Sequence, residues 1–214
     1  MRGVLVKETL GTKQKILETA IELFSEKGFH GTSVRDIARA TGLQVSSLYS
    51  HFTGKEDLLE AILVWYQQQV KQIRVPPERL DALIGTMPPK VLLMAGFVRL
   101  KAITGTSLMG QVIRILLTEM YRNPRVREFY LTWYFHENLE AARVVFQKMA
   151  DRGLLRPCNP EALSRLYNAL LNHCYLEYFL GKAGDADTSD LERRLETQLD
   201  EIFELLFEKG GTPC

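Results

Sequence analysis

Cysteine is scarce in this chain. Cys158, Cys174 and Cys214 are the only three in 214 residues, and no two stand in a C-x-x-C spacing. An odd, scattered set gives neither a disulfide framework nor a zinc pattern, and a reducing compartment is the simplest setting. Long apolar runs are missing as well. No stretch of about 18 apolar residues is present to span a bilayer, and the apolar part of MRGVLVKETL is too short for a signal peptide. There is no excess of one charge: 27 Lys and Arg face 26 Asp and Glu, a net +1. That balance argues neither for nor against nucleic acid, so charge has to be read locally. Strand-like alternation, internal repeats and low-complexity tracts are also lacking. G-x-G-x-x-G, the P-loop, G-x-S-x-G and H-E-x-x-H do not occur, which removes the common nucleotide, hydrolase and metalloprotease signatures. The expectation is a soluble, cytoplasmic protein that is not an enzyme, with no cofactor, no metal and no catalytic residue.

What is present is helical periodicity, and the expected fold class is all-α. Ile16, Leu17, Ala20, Leu23 and Phe24 share one face, which predicts a helix from about Lys13 to Lys27, stopped by Gly28. Thr32 or Ser33 caps a second helix that carries Val34, Ile37 and Ala38 inward. Gly42 breaks it, and a short helix follows over about Gln44 to His51. Thr53 and Glu56 fit a capping box opening a helix to about Arg74, which Pro76-Pro77 ends. Further helices are predicted at about Pro88–Ile103, Thr106–Tyr121, Pro124–Arg152, Pro160–Leu180 and Ser189–Lys209, about nine in all. Pro77–Ile84 is compatible with helix or loop. Domains are expected at 1–54 and 55–214.

The run Ser33–Phe52 is a helix-turn-helix by pattern. Ala38 is small where the helices cross, Gly42 supplies the turn, and Ile37, Leu43 and Leu48 lock the pair. The free face of the second helix can then enter a major groove, whose width admits an α-helix. From Met1 to Lys55, eight Lys and Arg oppose five acids, a local +3 that leaves −2 for the remainder. Gln44 can pair with an adenine edge. Ser46 and Ser47 are small enough to let the helix sit deep. Tyr49 can touch a thymine methyl and a phosphate, and His51 and Lys55 suit the backbone. Thr32 and Ser33 can hold a phosphate with the free amides of their helix, and Arg35 shares a face with Arg39 to flank the groove. The same pattern is also a common packing unit, with Ser, Gln and His ordinary on a solvated face.

Lys13 to Leu63 closely resembles the N-terminal domain of the TetR family of bacterial transcriptional regulators. The residues appear in the family's order: Ala20, Leu23, Phe24, Gly28, Phe29; then Thr32, Ser33, Val34, Ile37, Ala38; then Gly42, Leu43; then Leu48, Tyr49, His51, Phe52; then Lys55, Glu56, Leu58. The match covers about a quarter of the chain. The resemblance implies an N-terminal DNA-binding domain and a larger helical ligand-binding and dimerisation domain, in an Ω-shaped homodimer. Helices 160–180 and 189–209 would form its four-helix bundle, through a stripe of Leu163, Leu166, Leu170 and Cys174 and another of Leu191, Leu195, Leu199, Ile202, Leu206 and Phe207. Two recognition helices would then lie roughly 34 Å apart on a pseudo-palindromic operator in double-stranded DNA.

A ligand site is expected among Trp65, Met94, Phe97, Met109, Ile113, Tyr130, Trp133 and Tyr134, with Glu137, Asn168, Asn172 and His173 as orienting polar groups. The implied function is a repressor released by a small, moderately hydrophobic effector that tilts the helix 55–74. Two alternatives remain open at this point. One is a DNA-bound adaptor that recruits a protein and has no effector; the other is an enzyme. A metal site from His136, His173, Cys158 and Cys174 would require the fold to gather them.

Overall fold

The computed structural model describes residues 2–104, 107–183 and 189–206, with side chains outside residues 2–10 and a few helix positions. Among the described residues the chain is all helical. The elements are α1 (Arg2–Gly31), α2 (Val34–Thr41), α3 (Val45–Tyr49), α4 (Lys55–Ile73), α5 (Pro77–Thr86), α6 (Pro89–Thr104), α7 (Ser107–Glu119), α8 (Pro124–Phe129), a π-helical segment (Tyr130–Glu137), α9 (Asn138–Asp151), α10 (Pro160–Ala183) and α11 (Ser189–Leu206). The α8, π and α9 segments run without a break, so the rods number ten. None of the described helices is long and apolar enough to cross a membrane.

Several expected boundaries move, each for a local reason. Helix α1 starts at Arg2 rather than near Lys13, because Arg2–Thr12 contains no proline and Gly11 costs only about 1 kcal/mol in a helix. Gly28 does break that helix, with φ 75 and ψ 163, a conformation essentially reserved for glycine. The reach-back carboxylate before α4 is Asp57, not Glu56: its Oδ2 accepts from the Thr53 amide at 2.8 Å. The helix begins at Lys55, so Asp57 occupies its third position, the one from which an acid reaches back. Pro77–Thr86 is a helix, with proline in its first turn where a missing N–H costs nothing. Asn123 caps α8, its side chain accepting from the Arg125 and Val126 amides.

The chain divides into two compact units, Met1–Ile73 with Ala102–Tyr130, and Arg74–Lys101 with Leu131–Cys214. The reason lies in the apolar faces. Ile16, Ala20, Ile21 and Phe24 of α1 bury against a core shared with Leu58, Leu59, Ile62 and Leu63 of α4 and Val112, Ile115 and Leu116 of α7. Each such side chain contributes roughly 1.5–3 kcal/mol on full burial, so α4 and α7 fold with the first three helices. Arg125 of α8 grips Glu60 of α4 in a two-pronged pair at 2.6 and 2.7 Å. That pair holds the Glu60 carboxyl below the usual carboxylate range.

The second unit has its own core of Leu80, Ile84, Leu92, Leu93, Phe146, Met149, Leu163, Cys174, Tyr175 and Leu199. Helices α9 and α10 pack along each other, with α5 against α9 and α11 against α10. Asp81 of α5 clamps α9 by accepting from Lys148 at 2.8 Å and Arg152 at 3.2 Å. Tyr167 donates to the Leu93 carbonyl at 3.0 Å, and burial pushes its phenol well above the usual range. The expected α10 stripe splits. Leu163 and Cys174 are buried and Leu170 half-buried, whereas Leu166 is 53% exposed. Of the α11 stripe only Leu199 can be placed, and it is buried; Leu191, Leu195, Ile202, Leu206 and Phe207 lie outside the described side chains.

Candidate nucleic-acid interface

Helix α2 is capped by Ser33, whose hydroxyl accepts from the Asp36 amide while Asp36 Oδ2 accepts from the Ser33 amide at 2.9 Å. These bonds hold the Asp36 carboxyl below its ordinary value. At the other end Gly42 adopts φ 73 and ψ 21, and its amide closes on the Ala38 and Arg39 carbonyls. The Leu43 amide donates to Ala38 at 2.9 Å, and the Thr41 hydroxyl to Ile37 at 2.8 Å. Lys15 of α1 adds a donor to the Thr41 carbonyl at 2.9 Å. The turn is thus fixed from both sides, and α3 follows with Gln44 at its N-cap.

Only Leu48 of α3 is fully buried, with Phe52 just beyond it. Gln44, Ser46, Ser47 and Tyr49 are exposed, as are Ser33 and Arg35, while His51 and Lys55 are half-buried. The recognition face is therefore open. Leu43, expected to lock the helix pair, is half-buried; Ile37 and Leu48 carry that packing.

Thr32, Ser33, Arg35, Tyr49 and Lys55 come together around one open cleft of about 520 Å³, joined by His30, Gly31, Val34 and Asp36. Four elements contribute: the end of α1, the start of α2, the end of α3 and the start of α4. Thr32 stands apart from the expectation. It is 1% exposed, and its hydroxyl donates to Leu23 at 3.1 Å and Gly28 at 3.0 Å. Its side chain shapes the cleft and is not offered to a phosphate. Lys55 donates to the Phe29 carbonyl at 2.7 Å, with its ammonium 4.4 Å from the centre of the Phe29 ring. His30 carries no sequence signal of its own, because it precedes the capped helix.

The expected ligand set is divided between the units. Trp65, Met109, Ile113 and Tyr130 belong to the first, Met109 and Ile113 being buried and Trp65 and Tyr130 half-buried. Met94, Trp133, Tyr134, Glu137, Asn168, Asn172 and His173 belong to the second, and the Phe97 side chain lies outside the described residues. Trp133 is buried beneath the Arg74 guanidinium, 5.7 Å from ring centre. Arg74 also reaches Asn138 at 2.7 Å and Glu137 at 3.5 Å. Asn168 donates to the Ser164 carbonyl at 2.9 Å. His173 is 70% exposed, 3.7 Å from Glu177. No group of metal-ligating side chains is gathered among the described residues. Cys158 is exposed and Cys174 buried, where burial pushes the thiol up; Cys214 is outside the described residues.

A short helix held by a glycine turn, with its polar face open beside a basic cleft, defines a helix-turn-helix DNA-binding protein. Residues 16–62 match the family described as "Bacterial regulatory proteins, tetR family". Over 187 residues the chain is 27% identical to the HTH-type transcriptional regulator UidR of Escherichia coli K12, covering 87% of each. Over 59 residues it is 44% identical to IcaR of Staphylococcus aureus, the negative transcriptional regulator of the biofilm operon icaADBC, covering 28% of each. The fold is similar to that of SmeT in its triclosan complex, with a TM-score of 0.70, 21% identity and 95% of each chain covered. Residues 16–62 thus carry a TetR-family DNA-binding domain, and over its length the chain is similar to bacterial transcriptional regulators of that family. It is a DNA-binding regulator and not an enzyme.

Proposed function

We propose that this regulator is a cytoplasmic homodimeric repressor that leaves a pseudo-palindromic operator when a small, moderately hydrophobic effector binds. The observation that carries the DNA half of this reading is the shared cleft: Ser33, Arg35, Tyr49 and Lys55 converge beside the open face of α3. Phosphate contacts from the cleft set the register, and Gln44, Ser46, Ser47 and Tyr49 read base edges, with His51 on the backbone. Repression is supported by the role of IcaR as a negative transcriptional regulator.

The dimer reading rests on α10. Ala162, Leu166, Ala169, His173, Leu176 and Leu180 recur at alternating intervals of four and three, and all six are exposed. That is a heptad seam left uncovered by the described residues. Helix α11 packs beside it, so two copies would close a four-helix bundle.

The effector reading rests on two observations. SmeT, of the same fold, is seen with triclosan, and Trp133 and Tyr134 lie on a π-helical segment, a geometry frequent at functional sites. Effector binding lowers operator affinity by its differential preference for the two states of the dimer and no more. Operator selection from random duplexes, followed by a screen for compounds that release the selected DNA, tests both halves. A protein that selects no sequence sinks the operator reading. One that selects a sequence no compound releases sinks the effector reading.

One observation favours an adaptor that recruits a protein partner: Leu131 and Phe135 of the π segment are 54% and 46% exposed. Loss of regulation, with intact operator binding, in a Leu131→Ser, Phe135→Ser double variant distinguishes it.

A further inference from the structure

We propose that Glu119, the last residue of α7, is a positioning residue for DNA binding, fixing the Gly28–Phe29 peptide so that Phe29 in turn holds Lys55 at the cleft. The inference rests on the DNA-binding role of that cleft. Glu119 is 4% exposed. Its Oε1 accepts from the Phe29 amide at 2.9 Å in a buried bond that joins residues ninety positions apart. The carbonyl of the same Phe29 accepts from Lys55 at 2.7 Å. One residue thus passes a fixed geometry from α7 to the first residue of α4.

Packing alone does not explain a carboxylate here. Oε2 of Glu119 is also buried and has no hydrogen-bond partner among the described residues. A buried polar atom without a partner is costly, and an apolar side chain would fill the space at less cost. An acid in the last turn of a helix further opposes the helix dipole. The surroundings are shaped around the contact: a Cβ added at Gly28 would lie 3.3 Å from Glu119 Oε1. What the carboxylate provides is an acceptor at one point, aimed at the peptide that precedes the cleft residues His30 to Asp36.

The inference separates acceptor from bulk. Glu119→Met removes the acceptor at similar size, and Glu119→Gln keeps a carbonyl oxygen. Both are assayed on the selected operator across a salt series, alongside Lys55→Met and the Glu119→Met, Lys55→Met double variant, with thermal unfolding as a check on folding. The expected result is that Glu119→Met weakens binding as much as Lys55→Met and lowers the salt slope by about 0.9, the share of one phosphate contact. Gln restores both, and the double variant is no weaker than either single one. Additive losses, or an unchanged slope in a folded Glu119→Met protein, overturn the inference. If Glu119→Met does not fold, Glu119→Gln decides: retained affinity and slope support the acceptor role, and lost affinity overturns it. A wild-type protein that binds no duplex overturns the DNA-binding reading itself, and the inference with it.

Discussion

The Lys55 ammonium donates to the Phe29 carbonyl at 2.7 Å and sits 4.4 Å from the centre of that residue's ring. One aromatic residue therefore anchors the cleft's Lys55 by both its backbone and its side chain. An ammonium has three donors, so one bond to Phe29 leaves capacity for a phosphate at the cleft mouth.

This geometry separates two kinds of mutant. Lys55→Ala and Tyr49→Ala are expected to weaken binding to all duplexes alike, with the Lys55 variant lowering the salt slope by about 0.9. Gln44→Ala is expected to relax preference at particular bases by about 1–3 kcal/mol of discrimination. Binding profiles on a mutated operator series compare the three. Identical profiles would contradict the division of roles.

Gly28 combines φ 75 and ψ 163 with a neighbour 3.3 Å from where a Cβ would stand. Gly28→Ala is expected to destabilise the protein by about 1–3 kcal/mol. Urea unfolding measures it. A Gly11→Ala control, with nothing within 4 Å of the added carbon, should be neutral or stabilising.

The Ser33 cap gives an acid-sensitive helix start. Hydrogen bonds from Ser33, then the charge of Arg39, lower the Asp36 carboxyl from its ordinary 3.8. A depressed folded value means the contribution is fully present above the unfolded value and lost as pH falls through the folded one. Ser33→Ala should cost about 1 kcal/mol near neutral pH. Asp36→Asn should flatten the stability profile below about pH 4. An unaltered acid limb in the Asp36→Asn protein would remove this group from the account.

The exposed seam on α10 makes the dimer testable. Leu166→Glu and Ala169→Glu place like charges on a self-complementary surface, which a symmetric interface counts twice. Sedimentation should show monomers, and operator affinity should fall because two half-sites are no longer bound together. A variant that still sediments with wild type would move the interface elsewhere.

Much of the DNA-facing unit was legible in the residues. Ser33 and Gly42 act through neighbours at most four positions away, so cap and turn announce themselves by spacing, and Leu48 and Phe52 are buried where apolar residues recur at helical intervals. Helical periodicity likewise marked most elements, because a buried face repeats every 3.6 residues wherever it packs. Other features came only with the fold. Thr32 looks like a surface hydroxyl until α1 supplies the Leu23 and Gly28 carbonyls that take it inward. Leu166 looks like its stripe-mates until α10 turns it outward. The grouping of α4 and α7 with the first helices depends on which apolar faces meet, and Glu119 on a contact spanning ninety residues. Local rules are written in the order of residues; the choice of partners across the chain is settled by burial, which no short window of sequence records.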